Sequence, residues 1–296
     1  MEIVVIGHLS RDLIMTPSLR REVLGGGAAY AMLAPAIGAF GAGIVTKVGS
    51  DFEEEYLQTL RESRLDLSGL SVSGAVSTRF INEYDASGRR TQRVEGVAPP
   101  ITPEDFSERH LGSSIIHFSP ITPGEIEVDC IREAEYGDAL ISLDVQGHVR
   151  AIDDEGAVHN HRWKDPHHIL EMVNVVKFHE DELSLTVDAE SELSAVSAVL
   201  DMGPRIVLIT RSDRGSTVYT RNAQIDIPMV LSRRQIDATG CGDTYTIAFL
   251  LEYIRSGSVK RAGYFAATCS AFNVEHLGPY DFPTRSAVEM RMSKYL

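Results

Sequence analysis

The run Asp237-Ala238-Thr239-Gly240-Cys241-Gly242-Asp243, continued by Thr244-Tyr245-Thr246-Ile247-Ala248-Phe249-Leu250-Leu251, narrows the folds open to this chain more than any other stretch. Two glycines bracket one small residue, an acid follows, and the apolar run after it reads as a buried helix. Such a loop presents bare backbone N–H groups at the positive end of a helix dipole, which makes it a site for an anion. Asp243 is the odd member, because a carboxylate repels the anion that the loop attracts. Taking a proton from a hydroxyl that attacks a bound phosphate accounts for it. Capping the first helical turn is the plainer alternative.

The rest of the chain supplies strands to carry such a loop. Glu2-Ile3-Val4-Val5-Ile6-Gly7 reads as a buried strand closed by glycine, the usual opening of a doubly wound sheet. Similar apolar runs cover 42–48, 114–118, 139–144, 173–178 and 205–210. Sheets of this kind bind ligands at the C-terminal ends of their strands. Asp12, then Gln146 and Arg150, follow such ends; a turn acid and ordinary loop polarity are the plainer readings. Gly25-Gly26-Gly27 lets backbone approach a ligand closely and leads into a small-residue helix expected to reach about Ala39, bent at Pro35. Gly49-Ser50-Asp51 opens a charged helix expected to run through Ser63. Between residues 72 and 97 the pattern changes to two β-like runs, Thr78–Tyr84 and Arg90–Val94, about a turn at Asp85-Ala86-Ser87-Gly88. With the region from Met15 to Val23 they would form a small separate sheet.

With 296 residues, 43% of them hydrophobic, the chain has material for one α/β domain. A net charge of −14 leaves no basic surplus for nucleic acid or an anionic membrane. Cys130, Cys241 and Cys269 are too scattered for a disulfide or metal framework, and no run reaches membrane-spanning length, so a cytoplasmic protein is expected. His159, His161, His167 and His168 lie in a charged stretch and read as surface residues rather than ligands.

The Asp237–Asp243 run resembles the Asp-Thr-x-Gly-Ala-Gly-Asp signature of the PfkB/ribokinase family of carbohydrate and nucleoside kinases, with Ala238 for Thr and Cys241 for Ala. Other stretches follow in the family's order. Gly7 to Asp12 reproduces the spacing before a sugar-binding Asp. The glycine cluster is similar to the family's Gly-Gly motif, with Tyr30 in place of a sugar-touching Asn and Gly27 where Asn is frequent. Aligned through Lys177 and Leu183, Glu182 matches the Glu of an Asn-x-x-Glu motif and His179 replaces its Asn. Thr210 and Gly215 match a nucleotide loop in which Ser212 replaces the middle glycine.

The resemblance implies a three-layer α/β/α fold about a mostly parallel sheet. It would be a single domain, 1–296, with a β lid built from about 10–23 and 72–98. It implies transfer of the γ-phosphoryl group of ATP, with Mg²⁺, to a hydroxyl of a sugar or cyclic polyol such as myo-inositol. Asp243 would be the base, and the amides of Gly240, Cys241 and Gly242 would stabilise the phosphoryl charge. Asp12, Gly25, Gly26, Gly27, Tyr30, Gln146 and Arg150 would bind the acceptor. Lys177, His179, Glu182, Thr210, Ser212, Gly215 and Asn273 would serve the nucleotide, Glu182 also through the waters of Mg²⁺. Asp237 would accompany a monovalent cation such as K⁺. The lid would exclude water and offers a surface for a homodimer. A nucleoside kinase of the same fold is the alternative. A catalytically silent binder is another, favoured by His179 and Ser212 and opposed by the intact Asp243.

Overall fold

The computed structural model describes residues 1–85 and 90–296. Its strands in chain order are β1 (Ile3–Ile6), β2 (Ser10–Thr16), β3 (Leu19–Gly25), β4 (Ala42–Val48), β5 (Asp66–Val72), β6 (Thr78–Tyr84), β7 (Arg90–Gly96) and β8 (Ile115–Phe118). They continue with β9 (Leu140–Asp144), β10 (Arg150–Ile152), β11 (Val158–Asn160), β12 (Val175–His179), β13 (Ile206–Thr210), β14 (Ser216–Thr220) and β15 (Ala223–Ile227).

Nine of them form one sheet in the order β15-β14-β13-β12-β9-β8-β1-β4-β5. From β13 to β5 every neighbouring pair is parallel, and β14 and β15 return antiparallel at one edge. The apolar runs are continuous because both faces are covered. Ile3 and Val5 pack with the Cys241–Ser256 and Val259–Asn273 helices. Val4 and Ile6 point the other way, toward the Val128–Glu135 and Glu192–Met202 helices. This is the three-layer α/β/α arrangement.

A second sheet, β3-β2-β6-β7, stands beyond the C-terminal end of β1. β2 pairs antiparallel with β3 and parallel with β6, and β6 antiparallel with β7. Its legs are pinned to the body: His8 N–H donates to Glu125 Oε1 (2.6 Å), and Thr78 Oγ1 meets His8 Nδ1 (2.9 Å) and accepts from Ala98 N–H (3.0 Å). Of the expected turn at Asp85-Ala86-Ser87-Gly88, the residues after Asp85 lie outside the described residues.

Several elements depart from the sequence expectation. The helix expected to reach Ala39 is a 3-10 turn, Gly27–Met32, followed by one α turn, Leu33–Ala36. Pro35 is tolerated only within such a first turn, and Gly38 at φ +86° stops it. The charged helix begins at Glu54 rather than near Ser50 and ends at Glu62. Strand β5 and the Arg285–Met292 helix were not anticipated, because Asp-Leu-Ser-Gly-Leu-Ser-Val at a sheet edge carries little apolar alternation and the helix is short and charged. Nor was the β10–β11 hairpin, which docks on the lid sheet: Val94 N–H donates to Gly156 O (2.8 Å).

Candidate active site

The Cys241–Ser256 helix starts from Gly240, whose φ of +72° lies in the left-handed region. A Cβ there would sit 1.7 Å from Tyr30 Cζ, so conformation and space both demand glycine. The loop is held from several sides. Tyr30 Oη and Asn273 Nδ2 donate to Thr239 O (3.1 and 3.0 Å), Ser270 Oγ donates to Cys241 O (3.0 Å), and Asp237 Oδ1 accepts from Thr239 N–H (2.9 Å) and Oγ1 (2.7 Å). Of the three amides expected to face an anion, that of Cys241 closes onto Ala238 O (3.2 Å). Gly242 and Asp243 follow as first-turn amides, which have no partner within a helix.

Asp243 is half-buried at the head of this helix, and its Oδ1 accepts from Ser119 Oγ (3.0 Å). Beside it Lys177 Nζ and Asp144 Oδ2 form a buried ion pair at 3.0 Å. A Cβ added to Gly242 would come within 3.0 Å of Lys177 Nζ, so the ammonium backs directly onto the anion loop. Burial, with Asp144, pushes the Asp243 carboxyl up to about 6, while Lys177 and the Ser119 hydrogen bond oppose the rise. Burial alone would lower Lys177, but the carboxylates of Asp144, Glu182 and Asp243 outweigh it and hold the ammonium above its ordinary range. The site therefore keeps a fixed cation next to a carboxylate that titrates near neutrality.

At the ends of β12 and β13 the departures from the resemblance have local explanations. His179 is the N-cap of the Glu180–Thr186 helix, its backbone N–H donating to Glu182 Oε2 (2.6 Å) in a capping box. Its Nε2 lies 3.4 Å from Ser212 Oγ. Ser212 has φ +50°, the conformation a glycine would adopt freely. Glu182 sits above the usual carboxylate range through burial, with Lys177 opposing.

The lid sheet supplies the opposite end. Asp12 is 6% exposed; its Oδ1 accepts from Ser10 Oγ (2.6 Å) and its Oδ2 lies 3.5 Å from Asn82 Nδ2. Gln92, the cross-strand partner of Asn82, donates to Asn82 Oδ1 (2.8 Å). The three glycines are required by packing. A Cβ on Gly25 would stand 2.6 Å from Asp12 Oδ2, on Gly26 2.2 Å from His8 O, and on Gly27 2.1 Å from Ser119 Oγ. Arg150 Nη1 donates to Ile121 O (2.9 Å).

One cleft of about 660 Å³ joins these parts. It brings together Asp12, Gly26, Gly27 and Tyr30 with Gln146 and Arg150, and with Gly240, Cys241, Gly242 and Asp243. Lys177, His179, Glu182, Thr210, Ser212 and Gly215 line it as well. Three expected residues stand behind its wall: Gly25 lies under Asp12, Asn273 and Asp237 under the motif loop. Sequence reasoning missed Ser119, Asn82 and Gln92. Ser119 is the first residue after β8, and position at a strand's C-terminal end was the one available signal. For the lid amides there was none beyond a polar β pattern. The four singled-out histidines are exposed.

A family model described as pfkB family carbohydrate kinase matches residues 137–285, half of the chain. The cytidine kinase of Thermococcus kodakarensis is 28% identical over 258 residues, 86% of this chain and 89% of that protein. The inositol 3-kinase of Arabidopsis thaliana is 24% identical over 297 residues, 95% and 76% of the two chains. Among solved structures, a pyrophosphate-dependent kinase in the ribokinase family, complexed with a pyrophosphate analog and myo-inositol, superposes with a TM-score of 0.80 at 24% identity, covering 97% of this chain and 99% of that one. The chain belongs to the pfkB family of carbohydrate kinases. It is a sugar or nucleoside kinase with the ribokinase fold, a phosphotransferase acting on an alcohol group.

Proposed function

We propose that this kinase transfers the γ-phosphoryl group of ATP to a hydroxyl of a cyclic polyol of the myo-inositol type. The observation that carries the reading is the half-buried Asp243 at the head of the Cys241–Ser256 helix, between Ser119 and the Lys177–Asp144 pair. Asp243 removes the acceptor's proton, the first-turn amides at Gly242 and Asp243 receive the phosphoryl oxygens, and the Lys177 ammonium offsets their charge. A polyol is supported by the polar acceptor end, where Asp12, Asn82, Gln92, Gln146 and Arg150 all line the cleft. A nucleoside acceptor is the second reading, supported by Phe80, Ile121 and Val149 in the same wall and by the cytidine kinase relative. Asp243 with both motif glycines weighs against a silent binder.

On the β14 side, Met229, Val230, Ala271 and Val274 offer an apolar slot for a base, next to Thr210, Ser212 and Gly215. Glu182 is a hard oxygen donor suited to the water shell of Mg²⁺, which when bound supplies charge neutralisation for the donor phosphates. Asp237 Oδ2 is buried with no partner among the described residues, which fits a monovalent cation beneath the loop. Three unpaired cysteines support a cytoplasmic setting, and two copies would pair through the lid sheet.

The test is product formation from ATP, and separately from pyrophosphate, across inositols, pentoses, hexoses and nucleosides, with Asp243→Asn as control. Turnover of myo-inositol with ATP that disappears in the variant is the expected result. Selective turnover of a nucleoside would replace the polyol reading, and turnover with pyrophosphate alone would replace the donor.

A further inference from the structure

Asp243 has two carboxylate oxygens, and the structure treats them differently. Ser119 is 2% exposed, directly follows β8, and its backbone N–H donates to Ile6 O (2.8 Å), so its position is fixed by the central sheet. Its hydroxyl donates to Asp243 Oδ1 across 3.0 Å. The space for that hydroxyl exists only because residue 27 is glycine, since a Cβ there would fall 2.1 Å from Ser119 Oγ and 2.7 Å from its Cβ. A residue far off in the sequence is thus kept bare so that a serine can reach the carboxylate.

We propose that Ser119 is the positioning residue of the reaction: its hydroxyl holds Oδ1 of Asp243 and leaves Oδ2 to take the acceptor's proton. This rests on the reading of Asp243 as the base. In the step, the acceptor O–H bond breaks and its proton forms a bond to Oδ2. The freed electron pair forms the O–P bond, and the bond from phosphorus to the leaving diphosphate breaks with its electrons on the diphosphate. The hydrogen bond to Oδ1 orients the carboxylate plane and favours its ionised form, so the base is charged over a wider pH range than its burial alone would permit.

The other groups facing Asp243 are Asp144 from β9 and Lys177 from β12, with Glu182 acting through Lys177, and Tyr30 and Cys241 from the turns beside it. Tyr30 is raised well above its ordinary value by burial, and Cys241 is pushed up by burial to about 11, so both stay neutral through the range in which Asp243 titrates. Asp144 and Lys177 face each other as a buried pair at 3.0 Å. Ser119 is therefore the neutral hydrogen-bond donor whose removal acts on Asp243 without changing the charge around it.

The experiment is a ¹³C titration of the aspartate side chains in wild type and Ser119→Ala, with Asp243→Asn identifying the resonance, alongside the pH profile of kcat/KM for myo-inositol with ATP and Mg²⁺. Loss of the hydrogen bond should raise the Asp243 midpoint by roughly one unit and carry the acid limb of the profile up with it. The rate near the foot of the limb should then fall about tenfold, with a much smaller loss on the plateau. Gly27→Ala, which displaces the hydroxyl, should give the same shift, and the double variant no more than either single change. A uniform loss at every pH with an unmoved resonance overturns the role of Ser119 and leaves the base assignment standing. Undiminished turnover by Asp243→Asn overturns the base assignment itself, and with it this inference.

Discussion

The two ends of the cleft are built on different principles. At the Asp243 end, position is dictated by backbone: Gly240 in the left-handed region, Gly242 bare against Lys177, and a helix start that fixes the amides. At the lid end, position comes from side chains meeting across strands, with Gln92 donating to Asn82 and Asn82 near Asp12. The first end has little freedom to vary, because a methyl added at Gly240 collides with Tyr30 and one at Gly242 crowds the Lys177 ammonium at 3.0 Å. The second exchanges one amide for another without disturbing a hydrogen-bond ladder. On the proposed function, chemistry is placed where the chain is most constrained, and acceptor choice where it is least.

That contrast is broken most severely at Asp243. Asp243→Asn should lower turnover by about 10²–10⁴-fold with little change in melting temperature. If Asp243 is the proposed base it works only when ionised, so activity should be full above its midpoint of about 6 and fall as the pH drops through it. Lys177→Met comes next: it leaves Asp144 buried without its cation, which should cost about 3–5 kcal/mol of stability by denaturant titration and raise the Asp243 midpoint. Gly240→Ala should lose about 1–3 kcal/mol from strain alone, and more from the overlap with Tyr30. Adding Tyr30→Ala should make the pair of changes less than additive.

At the lid the effects should be smaller and of another kind. Asn82→Ala should raise the acceptor KM several-fold, the loss of a neutral hydrogen bond worth about 0.5–1.5 kcal/mol, while kcat falls less. An equal loss in kcat would show that the lid amides serve the chemistry as well, and the contrast would fail. The mildest change is Ser212→Gly, which relieves a left-handed φ of +50° and should stabilise the fold by less than about 1 kcal/mol, the gain reduced by the entropy of the new glycine.

The same contrast governs what the sequence disclosed. The Asp237–Asp243 run could be read because special backbone demands special residues, and glycines at fixed spacing leave a visible mark. The parallel strands could be read because burial on both faces makes them continuously apolar. Asn82 and Gln92 gave no such mark, since a polar residue on a half-exposed strand looks alike whether it faces a cleft or solvent. Ser119 stayed hidden for another reason: its partners, residues 27 and 243, are joined to it only by the tertiary fold. Tyr30 lines the cleft, but its hydroxyl is spent on Thr239 O and its ring on Gly240. The β10–β11 hairpin escaped because three-residue strands fall below the reach of any periodicity.

That hairpin has a consequence for how the molecule keeps its own company. A sheet edge with free N–H and C=O groups invites any passing strand to extend it, and a small lid has two such edges. On β7 the Gly156 carbonyl already takes the Val94 N–H, so a foreign strand would first have to peel the hairpin away. On β3 the exposed positions are Leu19, Arg20, Arg21 and Glu22, a charged fringe that deters indiscriminate stacking. One border is covered and the other is charged, which keeps a sticky ribbon from pairing at random.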